Sequence, residues 1–271
     1  MTSPLPLITT LPRQRLASVR FILTDVDDTL TWESQLPLAA YQALAQLQQV
    51  GIAVIPVTGG CAGWADMIAR LWPVKGVICE GGGCYLYKNE RGQLRYDYWQ
   101  AESLMRQRQQ QLLQQVQAVL ADYPPLRLAQ DQHYRLTDVA IDYAQDQHPP
   151  QPKLANALLR RLQQLQLTAK ASSIHINVSQ GGYDKWRMSE RVLQQHFGLS
   201  QAAMAEQVLY VGDAPNDEPM FARFPLSVGV ANIQSHLATL AARPGWLTGQ
   251  PGGYGFAELA TWLVSQQDQT A

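Results

Sequence analysis

Short apolar runs in the first part of the chain stop at acidic or glycine turns, and helical patterns separate them. Phe21-Ile22-Leu23 leads into Asp25-Val26-Asp27-Asp28-Thr29, and Ile52 to Val57 leads into Thr58-Gly59-Gly60. Val77-Ile78-Cys79 is a third run of the same kind. Ala40, Leu44 and Leu47 share one helical face before Gly51, and a second helix is expected from Ala62 to Leu71, stopped by Pro73. Runs this short read as buried strands. Strand–helix–strand–helix–strand order calls for a parallel sheet with right-handed crossovers. The expected class is therefore α/β, with a Rossmann-like parallel-sheet core.

The alternation then breaks. Tyr85 to Tyr87 and Leu94 to Tyr98 flank Asn89-Glu90-Arg91-Gly92 and predict a hairpin. A Gln-rich stretch, Glu102 to Ala121, carries Met105, Leu112, Val116 and Leu120 at helical spacing, so its glutamines mark a solvated helix face. Strands are expected at Leu126 to Ala129, Leu136 to Tyr143, Leu167 to Ala169 and Ile174 to Val178. A helix is expected after Pro152, with Leu154, Leu158, Leu162 and Leu165. The order α-β-β-α-β-β over residues 101–180 predicts an inserted α+β domain. Residues 1–100 and 181–271 supply the core. In the second part, Asp184 can cap a helix through Met188 and Val192. Strands are expected at Val208 to Val211, Leu226 to Val230 and Trp246 to Thr248, and a last helix at Ala257 to Val264 after Gly252-Gly253.

Bulk properties narrow the function. The 271 residues suffice for one large domain or two smaller ones, with 46% apolar and 16% charged residues. Net charge is −1, with no basic stripe, so no nucleic-acid partner is expected. No run of about 18 apolar residues exists, so no membrane span is expected. Met1 to Leu11 reads as a loose lead-in without a signal pattern, and a cytoplasmic protein is expected. Cys61, Cys79 and Cys84 form no disulfide framework or closed zinc site and read as inert buried thiols.

Four points lie at or beside the carboxyl ends of expected strands, where open α/β sheets bind ligands. Asp25 and Asp27, with Asp28 beside them, repel one another unless a hard cation offsets the charge, and oxygen ligands of this kind suit Mg²⁺. Thr58 with Gly59 and Gly60 offers a hydroxyl and backbone N–H groups to an anion. Lys185 begins a helix, where its charge opposes the dipole unless an anion is near. Gly212-Asp213-Ala214-Pro215-Asn216-Asp217 brings more carboxylates to a strand end. Each point alone is explained as readily by an ordinary turn, a helix cap or a surface lysine. Order and placement together carry the signal.

Asp25-x-Asp27-x-Thr29, Thr58, Lys185 and Gly212-Asp213-x-x-Asn216-Asp217 resemble the four ordered motifs of the haloacid dehalogenase-like hydrolases. The insert between the second and third motifs resembles the large α/β cap of the sugar-phosphate phosphatases in that superfamily. Arg135 to Asp142 is similar to a cap strand of that group, and Gly253-x-Gly255-Phe256 to its closing segment. The sequence departs from the pattern at Asp28, where Gly is common, at Gly60, where Arg is common, and at Gly82, where Asn is common.

The resemblance implies a phosphatase acting on a small phosphorylated metabolite. Asp25 would be the nucleophile and Asp27 the acid and base. Thr58, Gly59 and Lys185 would bind the phosphoryl group. Mg²⁺ would be held by Asp25, the Asp27 carbonyl and Asp213, with Asn216 and Asp217 in support. Arg135, Asp138, Asp142, His175 and Asn177 are polar cap residues that could face a sugar or equally stand toward solvent, and His133 and His148 are expected in loops. A phosphomutase or phosphotransferase on the same scaffold, and a non-catalytic binder of phosphorylated metabolites, are the alternatives.

Overall fold

The computed structural model describes residues 5–172 and 174–267. Twelve strands follow in chain order: β1 (Phe21–Thr24), β2 (Ala53–Pro56), β3 (Val77–Cys79), β4 (Cys84–Lys88), β5 (Leu94–Tyr98), β6 (Arg127–Leu128), β7 (Val139–Asp142), β8 (Thr168–Ala171), β9 (His175–Ser179), β10 (Val208–Gly212), β11 (Ser227–Gly229) and β12 (Trp246–Leu247). A five-stranded parallel sheet runs β12-β11-β10-β1-β2. Its central strands β1 and β10 pair Leu23 with Tyr210 and Thr24 with Val211. Every residue of β2 and β10 is buried, which explains why these strands read as unbroken apolar runs.

Helices cover both faces. Leu38–Gln49 packs Ala40, Leu44 and Leu47 inward, and Gly51 follows it at φ +79°. Gly252–Gln267 lies against that helix with Phe256, Leu259 and Leu263 buried in the same cluster. On the other face Lys185–Phe197 buries Met188, Val192 and Leu193 against Leu23, Ile55 and Tyr210. The helix Ala62–Leu71 has the bounds its pattern predicts.

Four expectations need correction. The strand β3 touches the parallel sheet through a single bridge, Val57 to Ile78, and otherwise belongs to an antiparallel sheet β3-β4-β5. The last helix begins at Gly252, not Ala257. Its glycines are inside the helix because a Cβ at Gly253 would stand 2.3 Å from the Leu30 carbonyl oxygen. The lead-in is not loose over Ile8 to Leu11: both these residues are buried, and Leu7 bridges Leu247. Met1 to Pro4 lie outside the described residues. Leu136 to Asp138 is not strand, for a reason given below.

The insert forms its own layer. The antiparallel order is β6-β7-β9-β8, backed by the helices Glu102–Leu120 and Pro152–Gln164. Leu112, Val116, Leu158 and Leu162 pack on Val139, Ile141, Ile176 and Val178 in a separate apolar cluster. The chain is thus a Rossmann-like core carrying an inserted α+β cap. Among the described residues no helix is long and apolar enough to cross a membrane.

Candidate active site

The loops after β1 and β10 meet because those strands are neighbours in register. Ligand oxygens of Asp25, Asp213 and Asp217 lie within 4.8 Å of one another, and all three residues are buried. Lys185 enters from its helix and is also buried. Its Nζ donates to Asp25 Oδ1 at 2.8 Å and to Asp217 Oδ1 at 2.7 Å. Burial lowers the lysine pKa, but attraction from Asp217 and Asp25 outweighs it and the net shift is upward. The ammonium therefore stays charged.

One cation does not balance the cluster. Burial and the charge of Asp217 push Asp25 up to about 7 despite Lys185. Burial and Asp25 push Asp213 up to about 9. Two carboxylates held this far above the usual range mark a place where a second positive charge would be stabilising. The donors are all oxygen, which fits a hard divalent cation such as Mg²⁺. Asp27 is half-buried on the cavity side. Burial first and Asp28 second raise its pKa.

The other residues brace this set. Asp217 is saturated: beyond Lys185 it accepts from Tyr210 Oη at 2.6 Å and from the backbone N–H groups of Asp213 and Ala214 at 3.0 and 3.3 Å. Asp213 accepts from Thr29 Oγ1 at 3.1 Å and Asn232 Nδ2 at 3.0 Å. Asn232 also donates to the Asp28 carbonyl at 3.0 Å, tying the two acidic loops together. Asp28 has φ +55°, a left-handed conformation that explains why glycine suits this position. Asn216 lines the site, and its Oδ1 is buried without a protein partner. Thr58, after β2, accepts the Gly60 N–H on Oγ1 at 2.8 Å.

These groups open on a cavity of about 420 Å³ between core and cap. Asp25, Asp27, Thr58, Gly59, Asp213 and Asn216 all line it, and Lys185 donates to Asp25 from behind this lining. Trp64, Met67 and Trp72 supply apolar wall, and His175 and Asn177 come from the cap. Of the five polar cap residues, none stands in solvent: four are buried and Asn177 is half-buried. Asp142 accepts the N–H groups of Ala144, Gln145 and Asp146 and so holds a turn. Arg135, Asp138 and Asn177 are engaged with one another. His175 Nε2 has no protein partner. Burial and the positive charge of Arg135 lower its pKa to about 4, so the ring is neutral. The three cysteines are buried free thiols.

Sequence reasoning missed Glu80, Tyr210 and Asn232. Glu80 follows β3, is 1% exposed and has φ +50°. Its carboxylate accepts the N–H groups of Leu136, Thr137 and Asp138 and the Thr137 hydroxyl from the cap, and the Ala62 N–H from the core. Those N–H groups are therefore unavailable to a sheet, which is why the alternating pattern of 136–138 does not become strand.

A parallel sheet with carboxylates gathered at the ends of two adjacent central strands, a lysine between them and a cap above them define a haloacid dehalogenase-like hydrolase. The family model for sucrose-6F-phosphate phosphohydrolase matches residues 18–247, and the chain belongs to that family. Among solved structures, protein 0175 of Thermoplasma acidophilum superposes with a TM-score of 0.68 at 15% identity, over 90% of this chain and 98% of that one. The sucrose-phosphatase of Synechocystis, crystallised with sucrose and phosphate, gives 0.63 at 16% identity, over 91% and 98%. A trehalose-6-phosphate phosphatase related protein gives 0.62 at 16%, over 93% and 100%. No curated protein matches the sequence. At these identities the likeness is one of fold.

Proposed function

We propose that the protein is a Mg²⁺-dependent phosphatase acting on a small phosphorylated metabolite, with a sugar phosphate as the substrate class, through an aspartyl-phosphate on Asp25. The observation that carries this reading is the Lys185 ammonium held between Asp25 and Asp217, with Asp25 lining a cavity between core and cap. Family membership and the fold shared with a sucrose-phosphatase support the substrate class.

In the first step an oxygen of Asp25 attacks phosphorus in line, and the bond from phosphorus to the ester oxygen breaks. Asp27 gives its proton to the leaving oxygen. Its raised pKa suits that role. In the second step water attacks phosphorus, Asp27 takes the water proton, and inorganic phosphate leaves with Asp25 restored. Lys185, the Thr58 hydroxyl and the backbone of Gly59 bind the phosphoryl oxygens. Asp25, Asp213 and the Asp27 carbonyl would hold Mg²⁺, which offsets phosphate charge when bound. Asn216 and Asp217 hold this set in place. The insert, residues 101–180, covers the cavity and selects the alcohol portion of the substrate.

A screen of phosphorylated sugars and other metabolites, with free phosphate as the readout, tests the proposal. Turnover is expected with Mg²⁺ and is expected to vanish on chelation and in Asp25→Asn. An Asp25→Asn protein with wild-type turnover would remove Asp25 from the reaction. Conversion of a sugar phosphate to its isomer without free phosphate would make the protein a mutase.

A further inference from the structure

The Gly59–Gly60 peptide joins the cap to the phosphate-binding loop. A peptide unit is planar, so its carbonyl and its N–H point in opposite directions and move together. The Gly59 carbonyl accepts from Arg135 Nη1 at 3.0 Å and from Asn177 Nδ2 at 2.9 Å, both from the cap. The N–H of the same unit, on Gly60, donates to Thr58 Oγ1 at 2.8 Å. Asp138 ties the two cap donors to each other, accepting from Arg135 at 2.9 Å and from Asn177 at 3.1 Å. The approach is close: a Cβ on Gly59 would stand 3.0 Å from Asn177 Oδ1.

The geometry points to Asn177 as a positioning residue, acting with Arg135 through the Gly59–Gly60 peptide to set the Thr58 hydroxyl for phosphoryl binding. With its oxygen accepting from Gly60, the Thr58 hydroxyl is left with its own proton to donate into the cavity. Cap docking and the aim of that proton are then one event. A substrate drawing the cap down completes its own phosphoryl site, and an undocked cap takes both bonds from the Gly59 carbonyl and leaves the plane held by the Gly60 N–H alone. The catalytic half of this inference rests on the phosphatase reading. The structural half, that Asn177 fixes the plane, does not.

Two variants separate this role from a contact with the sugar. Asn177→Asp keeps the shape and loses the donor, and Asn177→Ala loses both. Phenyl phosphate in the presence of Mg²⁺ is the substrate, because it carries no sugar for the cap to recognise. Both variants are expected to lower kcat on phenyl phosphate by roughly three- to tenfold, the worth of one neutral hydrogen bond, with kcat/KM falling in step. In protein labelled with ¹⁵N-glycine, the Gly60 amide is expected to shift and exchange faster in both variants while the Gly212 amide stays put. Wild-type kcat on phenyl phosphate in either variant overturns the inference, and so does an unmoved Gly60 amide. Should the wild-type protein hydrolyse no phosphate ester, the phosphatase reading falls and the Gly60 amide alone decides whether Asn177 positions the loop.

Discussion

Replacing Glu80 by Gln tests the join between core and cap without changing the side chain's shape. Glu80 Oε1 accepts the Ala62 N–H at 2.9 Å and the Leu136 N–H at 2.9 Å. Its Oε2 accepts the Thr137 N–H and hydroxyl, both at 2.6 Å, and the Asp138 N–H at 3.3 Å. A glutamine must turn an NH₂ group toward one of these sets. Facing Ala62 and Leu136, it strands the Ala62 N–H alone, because Leu136 keeps its second bond to Oε2 at 3.1 Å; facing Thr137 and Asp138, it strands two backbone N–H groups. A buried donor left unpaired costs about 1–3 kcal/mol, so the cheaper orientation, the first, costs about that much. One term runs the other way. Asp138 is raised to about 7 by burial and by the charge of Glu80, against Arg135, and neutralising Glu80 relieves part of that repulsion. A net loss of about 1–2 kcal/mol is expected, and at roughly 2–4 °C per kcal/mol for a chain of this size, Tm falls by about 2–8 °C. Thermal melting by circular dichroism reads the shift, and limited proteolysis near 136–138 reads the loosened join. A Tm equal to that of wild type or above it would show that the Glu80 carboxylate does not hold the cap, and the hydrogen-bond accounting would be wrong.

Two further outcomes follow from the buried charges. Lys185→Met leaves Asp25 without the cation that opposes its upward shift, so activity is lost and the protein is destabilised by about 3–5 kcal/mol above pH 7, where Asp25 is ionised in the wild type. The deficit should shrink as pH falls to about 7, where Asp25 takes a proton in both proteins, and a deficit that stays constant through alkaline pH in urea titrations would contradict the assignment. His175 is held neutral, with its pKa lowered to about 4 from an ordinary value of 6.5. The sign follows from linkage: the unfolded chain binds that proton first, so the stability it reflects is present above pH 6.5 and lost as pH falls toward 4. At about 1.4 kcal/mol per pH unit the loss approaches 3 kcal/mol. The difference in stability between wild type and His175→Gln should therefore change by about that amount between pH 7 and 4, and a constant difference would place the imidazole in water.

The sequence made legible whatever repeats locally. Strand ends are marked by apolar runs stopping at Asp25, Thr58 and Asp213, and helix faces by the spacing of Leu44 and Leu47 or of Val192 and Leu193. The gathering of Asp25, Asp213 and Lys185 followed from topology, since adjacent parallel strands deliver their carboxyl ends to one edge. Where the reading failed, a distant partner had overridden a local pattern. Leu136 to Tyr143 alternates like a strand, yet Glu80 takes the N–H groups at 136–138 and the ladder starts only at Val139. Gly252 and Gly253 look like helix breakers, yet they let the last helix start against the Thr31 and Leu30 carbonyls.

The same principle explains which polar residues stayed hidden. Asp142 and Glu80 are both buried carboxylates surrounded by backbone N–H groups, and one-dimensional patterning cannot separate such acceptors from groups meant for a ligand. What separates them is saturation. Asp142 and Glu80 have their oxygens occupied by the chain itself, as does Asp217. Asn216 Oδ1 and His175 Nε2 are buried with nothing opposite them. Both atoms belong to residues that line the cavity, and leaving a polar atom so costs free energy that a water or a ligand entering the cavity recovers. The unsatisfied atoms, rather than the acidic ones, are therefore where a substrate's hydroxyl groups should be sought.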